Sequence, residues 1–528
     1  MPNLTIDGKQ IEVPAGTTII QAADKLGIVI PRYCYHPALP VAGNCRICMV
    51  EIEKQPKLQI SCYTPATEGM VVKTNSPKVL EARKTVLEFL LVNHPLDCPV
   101  CDQSGECKLQ DYYMEHGLYN SRLADVKVKK EKKAFSIGPT VMLDQERCIL
   151  CTRCVRFTDN ITKTHEFGVF NRGDHSQLDV YPGRELNNNY SGNVVDICPV
   201  GALTDKDFRF KCRVWYLAQT KSVCPGCSQG CNITVEWDKA RPHAYKKARV
   251  MRLKPRLNPN VNDYWICDHG RYNYHFIDEN RILHPQRKDE LISWEQALET
   301  MAQTIKPLKD SKRLNRIGVL ASAQLTNEDL FVVRKLFTEK LPGALVDFRV
   351  PEKPGDSDDF LIKADKNPNT AGAGIILQPN VDAQQIVQKA RQGEIDLLYV
   401  FGHDLSQLFG KEAVYQISKN VKLLVFQGSN GNDTCKYAHF NLPSSVYAEK
   451  DGTLTNCQAR VQRILPAFQP LGESKADWEI LSLLSEKLGA PLELKDSQTI
   501  FKDIVATIAP FSGMSYEKIS DQGMLLKV

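Results

Sequence analysis

The sequence lacks the features that would place it in several common classes of protein. No apolar run reaches the roughly 18 residues that a membrane-spanning helix needs. The first residues, Met1 to Gly8, lack the basic and apolar regions of a secretory signal. The formal net charge is only +5, which gives no electrostatic reason to expect nucleic-acid binding. With 528 residues, we expect a multidomain chain that is soluble or peripheral to a membrane.

Cysteine, in contrast, is present in an informative arrangement. All but three of the 18 cysteines fall into four closely spaced sets, and one histidine joins the second set. In a reducing cytosol, Cys-x-x-Cys pairs are more often metal ligands than disulfides. Four such sets in series predict a chain of clusters that passes single electrons. The sets are Cys34, Cys45, Cys48 and Cys62; His94, Cys98, Cys101 and Cys107; Cys148, Cys151, Cys154 and Cys198; and Cys224, Cys227, Cys231 and Cys267.

The first two sets differ in spacing and in ligand chemistry. The first, C-x10-C-x2-C-x13-C, lies on a loop that carries glycine and proline and suits a [2Fe–2S] cluster. The second, H-x3-C-x2-C-x5-C, follows this ferredoxin-like segment and favours a [4Fe–4S] cluster with one imidazole ligand. A neutral ligand in place of a thiolate removes negative charge, which should raise the reduction potential of that cluster. A structural zinc site is the alternative for either set.

The third set is a remnant of a larger pattern. Two-cluster bacterial ferredoxins repeat C-x2-C-x2-C-x3-C-P, and the last cysteine of each motif serves the other cluster. Cys148, Cys151 and Cys154 fill the first three positions of the first motif, but its fourth position holds Thr158. The distant Cys198, which precedes a proline, is also present. The three positions that would precede Cys198 as ligands hold Asn188, Ser191 and Val194. We therefore expect one [4Fe–4S] cluster here and the loss of the other.

The fourth set, C-x2-C-x3-C-x35-C, fits zinc by spacing alone, but three upstream iron–sulfur sets favour another [4Fe–4S] cluster. The remaining cysteines, Cys212, Cys435 and Cys457, are expected to be small buried apolar side chains.

Secondary-structure signals change along the chain. Asp7-Gly8 between apolar segments predicts a hairpin of residues 4–6 and 10–13, and a helix over 19–26 should follow it, as in a β-grasp ferredoxin. Beyond Tyr272, buried strands at 317–320, 395–401 and 423–426 alternate with helices, which indicates a parallel sheet. The glycine-rich run 371–374 could suggest a phosphate loop, but no ligand is assigned to it.

The order of these motifs resembles the large iron–sulfur subunit (the G subunit) of bacterial NADH–quinone oxidoreductase, respiratory complex I. The resemblance covers the whole chain and is most specific through Cys267, whereas residues 451–456 and Arg460-x-Gln462 resemble a late signature of that family. It implies one [2Fe–2S] and three [4Fe–4S] clusters, of which the first three relay electrons toward quinone and the fourth lies off the main path. It also implies a partner that binds NADH and FMN, other peripheral-arm subunits, and indirect contact with the membrane arm. The location would be the cytoplasmic side of the plasma membrane.

The resemblance also implies a fold class, multidomain α+β followed by α/β. The expected domains are a β-grasp [2Fe–2S] ferredoxin domain (1–78), a His(Cys)3 [4Fe–4S] domain (79–118), a [4Fe–4S] ferredoxin-like domain (119–216), a [4Fe–4S] domain of the molybdenum-enzyme type (217–273) and a truncated molybdopterin oxidoreductase-like domain (274–528). No molybdopterin is expected, because those enzymes usually carry lysine where His269 stands, and Cys435 and Cys457 come too late to bind the metal.

No catalytic side chain is assigned to this chain. It has no convincing dinucleotide or flavin motif, so NADH would be oxidised on a partner subunit. One alternative is an iron–sulfur subunit of a soluble NAD-linked hydrogenase or formate dehydrogenase, which shares the first ligand sets. Another is a structural protein that is stabilised by zinc sites and has no redox role.

Overall fold

A computed structural model describes residues 1–118, 120–124, 126–239, 248–288, 290–351 and 354–527. The chain divides into two compact units, Met1–Leu217 and Ala218–Val528. Within the described ranges, no helix has both the length and the apolar composition that crossing a membrane requires.

The first unit begins with the predicted hairpin and helix. Strands β1 (Asn3–Ile6) and β2 (Lys9–Glu12) pair antiparallel, and the left-handed φ angles of Asp7 (45°) and Gly8 (82°) form the tight turn. Helix α1 (Ile19–Lys25) begins after Thr18, whose backbone N–H donates to the side chain of Gln21 at 2.9 Å. This bond satisfies the backbone amide of the residue that caps the helix. The predicted hairpin and helix are therefore confirmed.

A five-stranded mixed sheet packs its apolar face around this helix. Its order is β2-β1-β5-β3-β4, with β1 and β5 parallel and the other pairs antiparallel. Ile6, Ile20 and Val50 lie in its core together with Cys48 and Cys62. The later strands of this sheet are β3 (Met49–Ile52), β4 (Gln59–Ile60) and β5 (Met70–Lys73).

The rest of the first unit consists of short elements joined by long cysteine-bearing loops. The Ser76 hydroxyl caps helix α2 (Pro77–Leu91) by accepting from the Val79 N–H at 3.4 Å. Two small antiparallel sheets follow, with orders β10-β7-β6 and β8-β9. The elements are α3 (Lys108–His116), β6 (Ala134–Ser136), β7 (Val141–Asp144), α4 (Arg153–Asn160), β8 (Phe167–Phe170), β9 (Gln177–Val180), α5 (Asn193–Ile197) and β10 (Leu203–Asp205).

The second unit starts with an antiparallel three-stranded sheet, in the order β11-β12-β13. The loop between its first two strands carries Cys224, Cys227 and Cys231, and Cys267 immediately precedes a short helix. The elements are β11 (Leu217–Val223), β12 (Asn232–Asp238), β13 (Val250–Pro255) and α6 (Asp268–Tyr272).

A seven-stranded sheet forms the centre of the second unit, in the order β15-β14-β20-β19-β18-β16-β17. The run from β17 to β20 is parallel, which confirms the predicted parallel α/β segment. Its elements are β14 (Gln286–Arg287), β15 (Glu290–Leu291), α7 (Trp294–Asp310), β16 (Ile317–Leu320), α8 (Asn327–Val333), β17 (Leu345–Asp347), α9 (Thr370–Leu377), α10 (Ala383–Arg391), β18 (Leu397–Phe401), α11 (Leu405–Phe409), α12 (Lys411–Asn420), β19 (Leu423–Gly428) and β20 (Phe440–Pro443).

The glycine-rich run 371–374 is not a phosphate loop. It lies inside α9, where a Cβ at Gly372 would come within 2.2 Å of side-chain oxygens of Asn327 and Asn369. Close helix packing, rather than ligand binding, therefore accounts for the small residues at this position.

A buried carboxyl group ties the sheet layer to the last part of the chain. Glu328 on α8 accepts from the backbone N–H and the hydroxyl of Thr453, both at 2.8 Å, and from the Tyr516 hydroxyl at 2.9 Å. Burial raises the pKa of Glu328 to about 7. The elements of this region are β21 (Gly452–Thr455), β22 (Arg460–Ile464), α13 (Asp477–Lys487), α14 (Ser497–Thr507) and β23 (Met524–Leu525).

The Glu328→Gln variant should change how the stability of the second unit depends on pH. Between pH 4.5, the usual pKa, and about pH 7, the folded state holds a proton that the unfolded state releases, so stability is lost as pH rises through this window. Glutamine removes this loss, which amounts to about 3 kcal/mol. Thermal unfolding of the full chain at pH 5 and pH 8 measures the effect, with exposed Glu290→Gln as the control. An unchanged pH dependence in Glu328→Gln would contradict the assignment.

Candidate metal centres

The first set lies on the loops that flank β3 and β4. The Cys34 N–H donates to Cys45 Sγ at 3.4 Å, and the left-handed φ of Arg46 (60°) turns the chain between Cys45 and Cys48. Hydrogen bonds from the side chains of Cys45 and Cys62 lower the pKa of Cys34, and a hydrogen bond from Cys62 lowers the pKa of Cys48 to about 7. The structure therefore brings all four predicted members of this set together.

The second set surrounds a small cavity between α2 and α3. The Nδ1 atom of His94 is buried and has no hydrogen-bond partner within the described residues. Burial, with Arg147 and Lys127 nearby, lowers the pKa of His94 to about 4, so its imidazole is neutral at pH 7. Neutral imidazole is the form that binds metal. All four predicted members line this cavity: His94, Cys98, Cys101 and Cys107.

Backbone packs tightly against one side of the second set, while the other side faces solvent. A Cβ at Gly201 would come within 2.2 Å of Cys101 Sγ, so only glycine allows this approach. Cys98 is exposed. The Arg213 guanidinium donates to the carbonyls of Cys101 and Pro99, both at 2.6 Å, and fixes the exposed loop.

The third set lines a second cavity at the start of α4. Left-handed φ angles at Leu150 (52°) and Thr152 (59°) fold the chain between its cysteines, and the Leu150 N–H donates to Cys148 Sγ at 3.4 Å. Burial raises the pKa of Cys151 to about 11 and raises that of the other three thiols. Buried thiolates need a compensating cation, which a bound cluster would supply. The cavity is lined by Cys148, Cys151, Cys154 and Cys198.

The positions that would bind a second ferredoxin cluster are engaged in protein hydrogen bonds. The Thr158 carbonyl accepts from the Thr164 N–H at 2.9 Å. The Asn188 amide donates to Glu166 at 2.8 Å, and the Ser191 hydroxyl lies 2.9 Å from that of Thr140. At Asn188 and Ser191, polar side chains therefore bind other polar side chains where thiolates would have bound iron.

The fourth set is held by its own turn and by the start of α6. The Cys224 N–H donates to the Cys231 carbonyl at 2.8 Å. The amides of Gly226 and Gly270 donate to Cys224 Sγ at 3.5 Å and to Cys267 Sγ at 3.3 Å. Burial raises the pKa of Cys224, Cys231 and Cys267, and neighbouring thiols raise it further. The buried members of this group are Cys224, Cys227, Cys231 and Cys267.

The cysteines outside the four sets do not all behave as expected. Cys212 is buried, as predicted, but Cys435 is only partly buried and Cys457 is exposed. The prediction was wrong for Cys457 because this residue lies in the turn between β21 and β22, where its backbone N–H binds the Ser228 carbonyl at 2.8 Å. The backbone is anchored there while the side chain reaches solvent.

Thiolates and one imidazole in these arrangements suit iron–sulfur clusters. Amide-to-sulfur hydrogen bonds, which tune cluster potentials, occur in the first, third and fourth sets. In the part of the chain that the structure describes, no three His, Cys, Asp or Glu side chains converge closely enough to hold a single metal ion.

Two arginines at the third set were missed by the sequence reasoning. Arg153 and Arg156 donate to carbonyls in the loops of both the first and the third set. Their alternation with cysteines in residues 151–156 was the available signal, but only the folded chain shows which carbonyls they reach.

The second unit contains a cavity of about 770 Å³ at the carboxyl ends of the parallel strands, where doubly wound folds bind ligands. Loops that follow β16, β18 and β19 contribute Ser322, His403 and Asn430 to its wall. The described residues that line it include no cysteine. His269 lies beside the Gly226 turn of the fourth set. Among the described residues, the cavity wall includes lysine side chains but no cysteine thiol.

Family models match most of the chain in consecutive segments. They describe a 2Fe-2S iron-sulfur cluster binding domain (2–77), an NADH-ubiquinone oxidoreductase-G iron-sulfur binding region (83–122), an NADH-quinone oxidoreductase subunit 3 ferredoxin-like domain (138–204), an NDSU1/NuoG-like 4Fe-4S domain (219–275) and a molybdopterin oxidoreductase (350–487). Domains that bind 2Fe-2S and 4Fe-4S clusters are thus present in a mixed α/β chain.

Known proteins of similar sequence carry related names. The mitochondrial NADH-ubiquinone oxidoreductase 78 kDa subunit of Candida albicans is 31% identical, over 94% of this chain and 84% of its own length. NADH dehydrogenase [ubiquinone] iron-sulfur protein 1 of Solanum tuberosum is 32% identical, over 96% and 82%. The G subunit of NADH-quinone oxidoreductase from Rickettsia bellii is 42% identical, but the match covers 65% of this chain and 48% of that protein.

A chain from the crystal structure of an NAD+-reducing [NiFe]-hydrogenase in the H2-reduced state is 31% identical and covers 40% of this chain and 91% of its own. Its TM-score of 0.37 is too low to inform the fold. The long matches to the 78 kDa subunit and to iron-sulfur protein 1 decide the family. The chain belongs to the family of large iron–sulfur subunits of NADH-quinone oxidoreductase, which includes the bacterial G subunit.

Proposed function

We propose that this chain relays single electrons within an H+-translocating NADH-quinone oxidoreductase, from a partner that binds NADH and FMN toward quinone. The observation that carries the proposal is a shared apolar cluster in the first unit. Cys34, Cys107 and Cys151, one from each of the first three sets, are buried in it, and further cysteines of the first and third sets pack against it. Ligand sets that share one core are close neighbours, as a relay of electrons between clusters requires.

The proposed ligands are the residues of the four sets. The first set would hold one [2Fe–2S] cluster and the other three sets one [4Fe–4S] cluster each, and bound clusters supply one-electron redox chemistry. The chain holds the ligands, buries most of the thiols and directs amide hydrogens at sulfur in the first, third and fourth sets. The neutral ring of His94 fits a ligand in the second set, because its Nδ1 is buried at the cavity and has no hydrogen-bond partner among the described residues.

The proposed organisation follows the five segments expected from the sequence: 1–78, 79–118, 119–216, 217–273 and 274–528. Membership of the family supports assembly with other complex I subunits, and the proposed position is peripheral, on the cytoplasmic side of the plasma membrane. The last segment would act as a scaffold without molybdopterin, because the wall of its cavity lacks a thiolate.

Metal content tests the cluster assignment. Anaerobically purified chain should contain roughly 14 irons with matching acid-labile sulfide, from one [2Fe–2S] and three [4Fe–4S] clusters. Molybdenum and zinc, counted in the same sample, should be far below one per chain. Stoichiometric molybdenum would instead indicate an active molybdopterin enzyme, and zinc with little iron would leave only a scaffold.

The Cys151→Ala variant should abolish electron flow from NADH to quinone, because one interrupted cluster blocks a series path. The NADH-oxidising partner should remain active with artificial acceptors. Both activities are measured on the assembled complex, and Cys212→Ala, a buried cysteine outside the sets, is the matched control. Normal quinone reduction by Cys151→Ala would be incompatible with a linear relay.

The Cys227→Ala variant should affect assembly more than turnover, because the fourth set lies outside the proposed path. The yield and thermal stability of the complex should fall while turnover per assembled complex is retained. Cys435→Ala, which removes a partly buried cysteine of the same unit, is the control. A large loss of turnover in fully assembled enzyme would place the fourth cluster on the path.

A further inference from the structure

Arg156 on α4 binds the backbone of two different ligand sets at once. Its Nη2 atom donates to the carbonyl of Cys34 at 2.6 Å and to the carbonyl of Cys151 at 3.1 Å. Cys34 belongs to the first set and Cys151 to the third. Its Nη1 atom donates to Pro40, farther along the loop of the first set. A single guanidinium group therefore fixes the distance between the two ligand loops.

Arg153, one helical turn earlier, repeats this arrangement. Its guanidinium donates to the Tyr35 carbonyl and, at 2.9 Å, to the Ile197 carbonyl. Tyr35 follows Cys34 of the first set, and Ile197 precedes Cys198 of the third. A third contact between the loops, from the Asn44 amide to the Leu150 carbonyl, measures 3.1 Å. We call Arg153 and Arg156 the arginine clamp.

The charges of the arginine clamp are not neutralised by carboxylates. In the described part of the chain neither arginine has a salt bridge, whereas Arg147 near the second set pairs with Asp97 at 3.0 Å and with Asp144 at 3.2 Å. Their hydrogen-bond partners include carbonyls in the loops that carry Cys34, Cys151 and Cys198. The charges therefore lie beside the ligands of the first and third sets.

We propose that Arg153 and Arg156 are positioning residues that join the first and third cluster loops and raise the reduction potentials of both clusters together. The proposal rests on the proposed function, since it assumes that these sets hold clusters. A reduced cluster carries one more negative charge than an oxidised one, so a nearby cation favours the reduced form. Because the charges lie between the two sites, they shift both potentials in the same direction.

The step that the clamp serves is a one-electron exchange. One cluster loses an electron and is oxidised, and the other gains that electron and is reduced. No bond is made or broken, and no proton is transferred. A parallel shift of both potentials leaves the driving force of this exchange nearly unchanged. The clamp would thus set how easily the pair is reduced, and its fixed geometry would hold the two sites at a constant separation.

Redox titration of the assembled complex, followed by electron paramagnetic resonance, tests the proposal. Arg156→Gln keeps a polar side chain but removes the charge, whereas Arg156→Lys keeps the charge. In Arg156→Gln, the ratio of reduced to oxidised cluster at a fixed potential should fall about tenfold for both the first and third clusters, which corresponds to 59 mV for a one-electron couple. Arg156→Lys should stay close to the unmodified protein, and the other clusters should not shift.

Arg184→Gln is the matched control, because Arg184 is exposed in the same unit and, among the described residues, its guanidinium donates only to the Thr164 carbonyl, at 3.3 Å. A shift confined to one cluster, no shift, or an equal shift in Arg156→Lys would overturn the proposal. If Arg156→Gln does not retain iron, Arg153→Gln is titrated by the same criteria. Absence of iron–sulfur signals from the unmodified protein would overturn the proposed function, and the clamp with it.

Discussion

Burial of thiolate sulfur is the constraint on which the first unit depends. An ionised group is costly in a low-dielectric interior unless cations or hydrogen bonds stabilise it. In this chain, that stabilisation comes from backbone amides directed at sulfur, as at Leu150, and from guanidinium groups at the ligand loops. The amides that point at sulfur require turns that regular helices and strands do not provide, whereas the guanidinium groups of the arginine clamp come from α4. The short elements and long loops of this unit follow from that requirement.

The second unit is held together mainly by ordinary α/β packing. Helices pack against its central sheet, and several of its buried charged side chains form ion pairs. Lys450 binds Asp329 and Asp477, both at 2.7 Å. Breaking such a pair leaves an uncompensated buried charge, so the pair constrains which elements can pack here. The fourth ligand set belongs to this unit, yet its sulfurs also depend on backbone amides, those of Gly226 and Gly270.

The sequence predicted the secondary-structure elements that depend on local signals. The Asp7-Gly8 hairpin and the helix that follows it both appear in the structure, because each depends on a few adjacent residues. Spacing also predicted which cysteines meet. It could not place Cys457 at the surface or the run 371–374 in a helix, because both depend on packing between distant segments. The carbonyls of Cys34 and Pro40, which Arg156 binds, lie far along the chain from it and could not be read from a motif.

The arginines near the first unit's ligand sets differ in a way that composition cannot reveal. Arg147 lies near the second set, but its positive charge is compensated by ion pairs with Asp97 and Asp144. It therefore does little to favour the reduced state of a cluster there. There, the neutral ring of His94 already removes one negative charge. The first set and the third have four thiols each, and there the arginines remain unpaired with carboxylates. Guanidinium charge without a carboxylate partner therefore lies at the all-thiol ligands of the first and third sets, while Arg213 donates to two carbonyls at the second.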